Sequence, residues 1–374
     1  MDCMKFGIAG PISKDHVILA TGEKLQKYGA AAYSASALAK LLEGTSDRAF
    51  CLSHLSAADL EPVTNLLRHP NIDLSGMITL ENGTAEISLT YINEYDRRSH
   101  QIQSMPPFTA DEIGLLSDCT AVLLMPLNET DITLGCVQEL RRTSDAVIFL
   151  DAHGLVTGVN ETGARFRKKW TNAIEWLKCI NILKMNENEA CWVAGRSMQK
   201  SEEFVQFASS IVEVGLNACW ITFGDQSSLI SWRREKRIYW ARVPVVRGIG
   251  EIVDTTGCGD ASSAGFVYTF VKFHQRPLIS VIMGNTLGSL KATFPETNAF
   301  PSHPEINGVI VSHYRDYLHT LLDDFLVKSQ VIVHEIKGGQ DIESFMYDSD
   351  GVGNSPGADH AHHSRGQGTS TQGS

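Results

Sequence analysis

Short apolar runs rich in branched and aromatic residues recur along this chain, at Lys5 to Ala9, Ala121 to Met125, Ala146 to Leu150, Asn181 to Met185 and Ala218 to Phe223. Each has the length and composition of a buried strand. Between the later runs lie amphipathic stretches, Ile132 to Arg142, Ala164 to Leu177 and Glu202 to Val214. These are long enough to cross over as helices and return the chain parallel to itself. The alternation predicts an α/β fold in which helices cover both faces of a mostly parallel central sheet. A chain of 374 residues with 43% hydrophobic content can build the large core this requires.

One segment breaks the rhythm. Gly76 to Gln103 reads as Met-Ile-Thr-Leu, a turn at Glu81-Asn82-Gly83-Thr84, and then Glu-Ile-Ser-Leu-Thr-Tyr-Ile with period-two alternation. That pattern predicts a β-hairpin. Two readings stay open for it, surface decoration or a flap that covers a substrate and excludes water. Residues 14–28 are a second candidate for the same lid. From Gly338 onward Gly, Ser, Asp, His and Gln dominate and apolar periodicity ends. The expected division is therefore one folded domain over 1–335 and a disordered tail over 336–374. His360, His362 and His363 fall in that tail and read as a solvated terminus rather than as metal ligands.

A formal charge of -11 argues against a surface that gathers nucleic-acid phosphates or anionic lipid. No run approaches the roughly 20 apolar residues of a membrane span, and the start lacks the apolar core of a secretion signal. The expectation is a cytoplasmic protein. The eight cysteines form no Cys-x-x-Cys pair and several sit inside apolar runs, such as Cys119 and Cys219. They read as reduced core residues rather than a disulfide or zinc framework.

The most informative string follows Ile252-Val253: Asp254-Thr255-Thr256-Gly257-Cys258-Gly259-Asp260, running into an apolar stretch that begins Ala-Ser-Ser-Ala-Gly. Residues without bulky side chains let the backbone N–H groups of Gly257, Cys258 and Gly259 turn toward one point. A helix opening there adds its partial positive charge, which makes an anion hole. Asp260, expected as the first residue of that helix, can accept a proton from an alcohol held beside a bound phosphate. A plain aspartate cap after a glycine turn is the competing account. The length of the string favours chemistry.

Asp254 to Asp260 with Ala261-Ser-Ser-Ala-Gly265 resembles the C-terminal signature of the ribokinase-like PfkB carbohydrate kinases, with Cys258 in place of the usual alanine. The resemblance runs over most of residues 4 to 328 and implies the ribokinase-like fold with a small β-hairpin lid, ATP and Mg2+ as cofactors, and in-line transfer of the γ-phosphoryl group. It implies Asp260 as catalytic base. Asn186-Glu187-Asn188-Glu189 resembles the family's Asn-x-x-Glu element, which implies a metal-side role for Glu189 and Asn186, and Asp254 is implied beside a monovalent cation. Thr222-Phe223-Gly224 resembles the segment near the nucleotide, and Asn285 stands where relatives place an adenine-flanking residue. Gly10-Pro-Ile-Ser-Lys-Asp15 resembles the first family segment, which makes Asp15 a substrate ligand. Gly29-Ala-Ala-Ala-Tyr-Ser34 resembles the glycine-rich start of the substrate-site helix, although Ala30 replaces one glycine and Ser34 stands near the usual asparagine. Asp151-Ala-His153-Gly resembles an Asp-x-Gln-Gly segment of a branch nearer inositol and nucleoside kinases than ribokinase itself. Asp151 and His153 are thus further substrate candidates.

The implied function is phosphorylation of a hydroxyl on a small polyol, sugar or nucleoside. The lid offers a surface for a homodimer. A catalytically silent nucleotide- or metabolite-binding protein on the same fold is the rival from another class. A dinucleotide-dependent oxidoreductase is disfavoured, because Phe6-Gly-Ile-Ala-Gly-Pro-Ile lacks the glycine spacing that such a site needs after its first strand.

Overall fold

The computed structural model describes residues 3–19, 21–91, 97–322 and 334–336. The expected tail, with its three histidines, lies outside them apart from residue 336.

Sixteen strands are formed among the described residues. They are β1 (Lys5–Ala9), β2 (Ser13–Ile18), β3 (Lys24–Tyr28), β4 (Arg48–Leu55), β5 (Ile72–Thr79), β6 (Ala85–Tyr91), β7 (Arg97–Gln103) and β8 (Ala121–Leu124), then β9 (Val147–Asp151), β10 (Thr157–Val159), β11 (Arg165–Arg167), β12 (Ile182–Asn186), β13 (Ala218–Phe223), β14 (Ser227–Arg234), β15 (Arg237–Pro244) and β16 (His334–Glu335). Ten of them make one sheet in the order β16-β15-β14-β13-β12-β9-β8-β1-β4-β5. The seven strands from β13 to β5 in that order are parallel, and β14, β15 and β16 extend the sheet antiparallel.

The central strands are apolar throughout because both faces are covered. On one face Phe6, Ile8, Leu38, Trp220, Phe266 and Leu287 join the sheet to helices at Ala31–Leu42, Cys258–Lys272 and Pro277–Lys291. On the other, Val122, Ile148, Leu183, Val137 and Phe207 pack helices at Leu134–Thr143 and Ser201–Glu213. Among the described residues no helix is long and apolar enough to cross a membrane.

Four strands form a second, small sheet in the order β3-β2-β6-β7. It corrects the predicted hairpin. Met77 to Thr79 belong to β5 and pair parallel with β4 at the edge of the large sheet. The hairpin is instead β6 against β7. The expected turn is a passage between sheets: Asn82 has φ 57°, and a side chain on Gly83 would come within 2.6 Å of the Leu55 carbonyl oxygen. β2 and β3 complete the small sheet, and Asp59 ties them to the body. Its carboxylate accepts from Lys14 Nζ at 2.9 Å, Tyr28 Oη at 2.7 Å and Ser56 Oγ at 2.6 Å.

A second correction concerns Ala164 to Leu177, which is not one crossover helix. Arg165–Arg167 pair antiparallel with Thr157–Val159, and only Ala173–Leu177 is helical. Asn172, with φ 55°, sits in the left-handed region just before that helix, so the apolar period of the stretch is split between a strand and a single helical turn.

Candidate active site

The strands β9, β12 and β13 are neighbours and parallel, so Asp151, Asn186 and Thr222 come to the same carboxyl edge of the sheet, with Asn186 directly opposite Thr222. That edge is where open α/β sheets bind ligands. The helix Cys258–Lys272 begins beside it. Gly257 caps the helix with φ 85°, a left-handed conformation that suits glycine, and an added Cβ would stand 2.4 Å from the Tyr33 ring. Gly257 is thus required twice, by backbone and by space. The Cys258 N–H makes a long bond to the Thr255 carbonyl oxygen at 3.4 Å, and the Gly259 N–H lies in the first turn, where a helix supplies no partners of its own.

Asp260 is the third residue of this helix, not the first as expected. The difference matters geometrically, because the carboxylate sits within the helix's first turn rather than ahead of it. Ser34 Oγ donates to the Asp260 carbonyl oxygen at 2.9 Å. Ser263 Oγ and Lys184 Nζ donate to the Gly259 carbonyl oxygen at 2.9 Å and 2.8 Å. Lys184 also donates to Asp151 Oδ2 at 2.8 Å and is buried, with its ammonium 5.7 Å from the centre of the Trp220 ring. One ammonium therefore links the strand-end carboxylate to the anion-hole loop.

Around Asp260 the balance of charge is acidic. Burial raises its carboxyl, Asp151 and Asp15 add to the rise, Lys184 opposes it, and the outcome is about 7. A carboxyl held there has the pKa of a general base suited to neutral pH. Cys258 responds differently: burial pushes its thiol up to about 12, so it stays protonated and carries no thiolate reactivity. All eight cysteines are free.

Asp15 lies on β2 and is buried, and its carboxylate stands where a side chain on Gly29 would come within 2.6 Å of Oδ2. Gly29 is the space for Asp15. Both border Tyr33, whose phenol is raised first by burial and then by Asp15, Asp254 and Asp260 together, which places these three carboxylates around one ring. Ser34 is fully buried and its hydroxyl is engaged by the Asp260 carbonyl oxygen. Ala30, where relatives keep glycine, has φ 52° and ψ −119°. That conformation costs an alanine about 1–3 kcal/mol. Replacing Ala30 by Gly is expected to stabilise the fold by about 1 kcal/mol after the extra freedom of glycine in the unfolded chain is subtracted. The check is the denaturant midpoint, which should rise with an unchanged slope.

The metal-side candidates are not brought together. Glu189 is buried and spent: Oε1 takes His153 Nδ1 at 2.8 Å and Arg167 at 3.4 Å, while Oε2 takes the Asn186 N–H at 2.9 Å. Asn186 Oδ1 accepts the Glu189 N–H at 2.8 Å, completing a capping box at the start of the helix Glu187–Ala194. Against burial, which raises it, His153, Arg167 and the Asn186 N–H hold the Glu189 carboxyl near 2. His153 is pulled down, first by burial, and Arg165 reaches its Nε2 at 3.3 Å, so the neutral ring donates from Nδ1 to Glu189. Asp254 belongs to another cluster, bonded by Lys27 Nζ and by the Thr256 N–H at 2.8 Å. Among the described residues no three histidine, cysteine, aspartate or glutamate side chains are arranged to hold a metal ion.

Residues 166–303 match the family model of the pfkB family carbohydrate kinases. Over that span the chain is similar to the PfkB carbohydrate kinases. The matched span contains Glu189 and the whole Asp254–Asp260 string. A ribokinase from Arabidopsis thaliana is 25% identical over 170 residues, which cover 45% of this chain and 40% of that ribokinase. In three dimensions the chain is similar to a pyrophosphate-dependent kinase in the ribokinase family, solved with a pyrophosphate analogue and myo-inositol, at a TM-score of 0.64 and 20% identity over 82% of this chain and 99% of that one. It is also similar to the Arabidopsis thaliana ribokinase complexed with ribose and ATP, at 0.65 and 16% over 83% and 99%. At these identities the likeness establishes the ribokinase-like fold.

Within the matched span the nucleotide-side candidates separate. Thr222 is the last residue but one of β13, and Gly224, with φ 55° and open space where a side chain would be, turns the chain just beyond it. The Asn285 amide is engaged within the fold. Its Oδ1 accepts from Ser228 at 2.7 Å and its Nδ2 donates to the carbonyls of Val243 and Pro244 at 3.5 Å and 3.2 Å, so the amide holds β14 and β15 to the helix Pro277–Lys291. Two site residues escaped the sequence reading, Lys184 and Tyr33. A lysine in the middle of the apolar run Asn181–Met185 is the signal that could have found Lys184, since a buried ammonium needs an acidic partner.

Proposed function

We propose that this protein is a small-molecule kinase that transfers the γ-phosphoryl group of ATP to a hydroxyl of a small polyol, sugar or nucleoside, with Asp260 as the base. The observation that carries this is the single arrangement at the start of the Cys258–Lys272 helix. At the first turn of the helix a carboxyl brought to about 7 at Asp260 stands next to Gly259, whose carbonyl oxygen is bonded by the buried Lys184 ammonium. The N–H groups of Gly257, Cys258 and Gly259 receive the charge that develops on the transferred group. Asp260 takes the hydroxyl proton as the oxygen attacks, and Asp15, on the small sheet, orients the acceptor by accepting from its other hydroxyls. The small sheet then acts as the lid. Lys27 of β3 bonds Asp254, and Tyr91 Oη lies 3.3 Å from Thr256 Oγ1, so the lid is joined to the very loop that binds phosphate.

ATP is favoured as donor by the ATP complex of the Arabidopsis ribokinase, whereas the structural relative that uses pyrophosphate marks the competing donor. Magnesium, when bound, neutralises phosphate charge. It would enter on the phosphates with its waters, because Glu189, Asn186 and Asp254 are otherwise engaged and do not form a protein cage. Relatives solved with ribose and with myo-inositol make sugars and cyclitols the first acceptors to try. The test is an ADP-release screen over sugars, inositols and nucleosides, with pyrophosphate run in parallel as donor. ADP released in proportion to one acceptor is the expected result. ATP binding without turnover on the whole panel would instead favour a catalytically silent binding protein.

A further inference from the structure

The resemblance to PfkB kinases implies a monovalent cation beside the anion hole, set by the carboxylate here numbered Asp254. Such an ion needs a carboxylate and free carbonyl oxygens around a cavity. The residues present do not fit it. Asp254 Oδ2 is bonded by the ammonium of Lys27 and Oδ1 by the Thr256 N–H at 2.8 Å. The neighbouring carbonyls are also taken. Ala292 O accepts the Val253 and Asp254 N–H groups at 2.8 Å and 3.1 Å, which lays the motif loop against the segment 292–294. Phe294 O accepts Lys291 Nζ at 2.7 Å.

Lys291 is the unusual member of this group. It is fully buried, ends the helix Pro277–Lys291, and holds its ammonium 5.2 Å from the centre of the Tyr33 ring. Burial pulls its pKa down, the carboxylates of Asp254 and Glu296 push it back up, and Lys27 lowers it, so Lys291 shares one electrostatic site with Asp254 and Lys27. An unpaired ammonium in such a place would be strongly unfavourable. Here it is paired with a carbonyl, a ring face and a nearby carboxylate, the kinds of partner that a potassium ion recruits.

We propose that this protein carries its monovalent cation covalently, as the ammonium of Lys291 seconded by Lys27 across Asp254, and that it neither binds nor requires potassium. The proposal rests on the kinase reading for its meaning in catalysis, but not for its test. A third positive charge would meet two ammonium ions already in place, so potassium is excluded by charge.

The experiment compares melting temperatures and, with the best acceptor, turnover in KCl, NaCl and choline chloride at equal ionic strength, for the parent, Lys291→Ala and Lys291→Met. The parent is expected to melt and turn over alike in all three salts. Lys291→Ala opens a cation-sized space, so it should lose roughly tenfold or more of its turnover in choline and recover part of it in KCl, with a saturable KCl-specific rise in melting temperature. Lys291→Met fills the same space without charge and should show neither recovery nor rise. A saturable potassium-specific rise in the melting temperature of the parent overturns the proposal, and this arm decides even if both variants fail to fold. It needs no acceptor, so it stands apart from any failure to find phosphorylation.

Discussion

Replacing Asp260 by Asn is expected to lower turnover by roughly a thousandfold or more while raising the protein's stability at pH 8. The loss follows because an amide cannot take the acceptor's proton, although it preserves size and the hydrogen bonds of the helix's first turn. The gain follows from linkage. Asp260 has its carboxyl raised from 3.8 to about 7, first by burial and then by Asp151 and Asp15. For a carboxyl raised in the folded state, the favourable contribution is complete below the unfolded pKa and is lost as pH rises through the folded one. Above pH 7 the native protein therefore holds a carboxylate at a cost of about 2–4 kcal/mol, which asparagine does not incur. The difference in melting temperature between the variant and the parent should be largest at pH 8 and fade toward pH 4. Equal melting at pH 8 would mean that the carboxyl is not raised, and full turnover would remove it as the base.

Removing the ammonium of Lys184 should have the second largest effect. Lys184→Met keeps the length and apolar stem of the side chain while leaving Asp151 Oδ2 and the Gly259 carbonyl oxygen without their donor at 2.8 Å. Two consequences separate. The Asp151 charge then acts on Asp260 unopposed, so the acid limb of kcat/KM, expected near 7 in the parent, moves to higher pH. The anion-hole loop also loses its anchor, so kcat falls at every pH, by about a hundredfold. A merely structural role would lower both without moving the limb. A pH profile of kcat/KM for parent and variant, read from pH 5 to 9 or about that range, distinguishes them.

The Asp254–Asp260 string and the parallel strands around it are legible in the sequence because both are local. A glycine cap is written in the residues that need φ 85°, and buried parallel strands are written as uninterrupted apolar runs. What the sequence hides is partnership across distance. Ser34 reads as a substrate residue, but its hydroxyl reaches the Asp260 carbonyl oxygen from 226 positions away. Asn186 and Glu189 read as a metal element, and they do sit at the strand edge, yet His153 from the turn after β9 and Arg167 from the β10–β11 excursion occupy Glu189. That excursion was itself hidden, since Ala164 to Leu177 has a helical apolar period and only the left-handed Asn172 breaks it. The hairpin was displaced for the same reason: alternation marks Met77–Thr79 and Ala85–Tyr91 equally, and nothing local says that they join different sheets.

Phosphoryl transfer itself is tested most directly by following the phosphate. The protein is incubated with ATP labelled in the γ-phosphoryl group and with the acceptor that releases most ADP, and the label is located by separating the products. The account predicts label on the acceptor hydroxyl in amounts matching the ADP formed, and almost none with Asp260→Asn. Label that stays on ATP for every acceptor although ATP binds, or that appears only as inorganic phosphate, would contradict it.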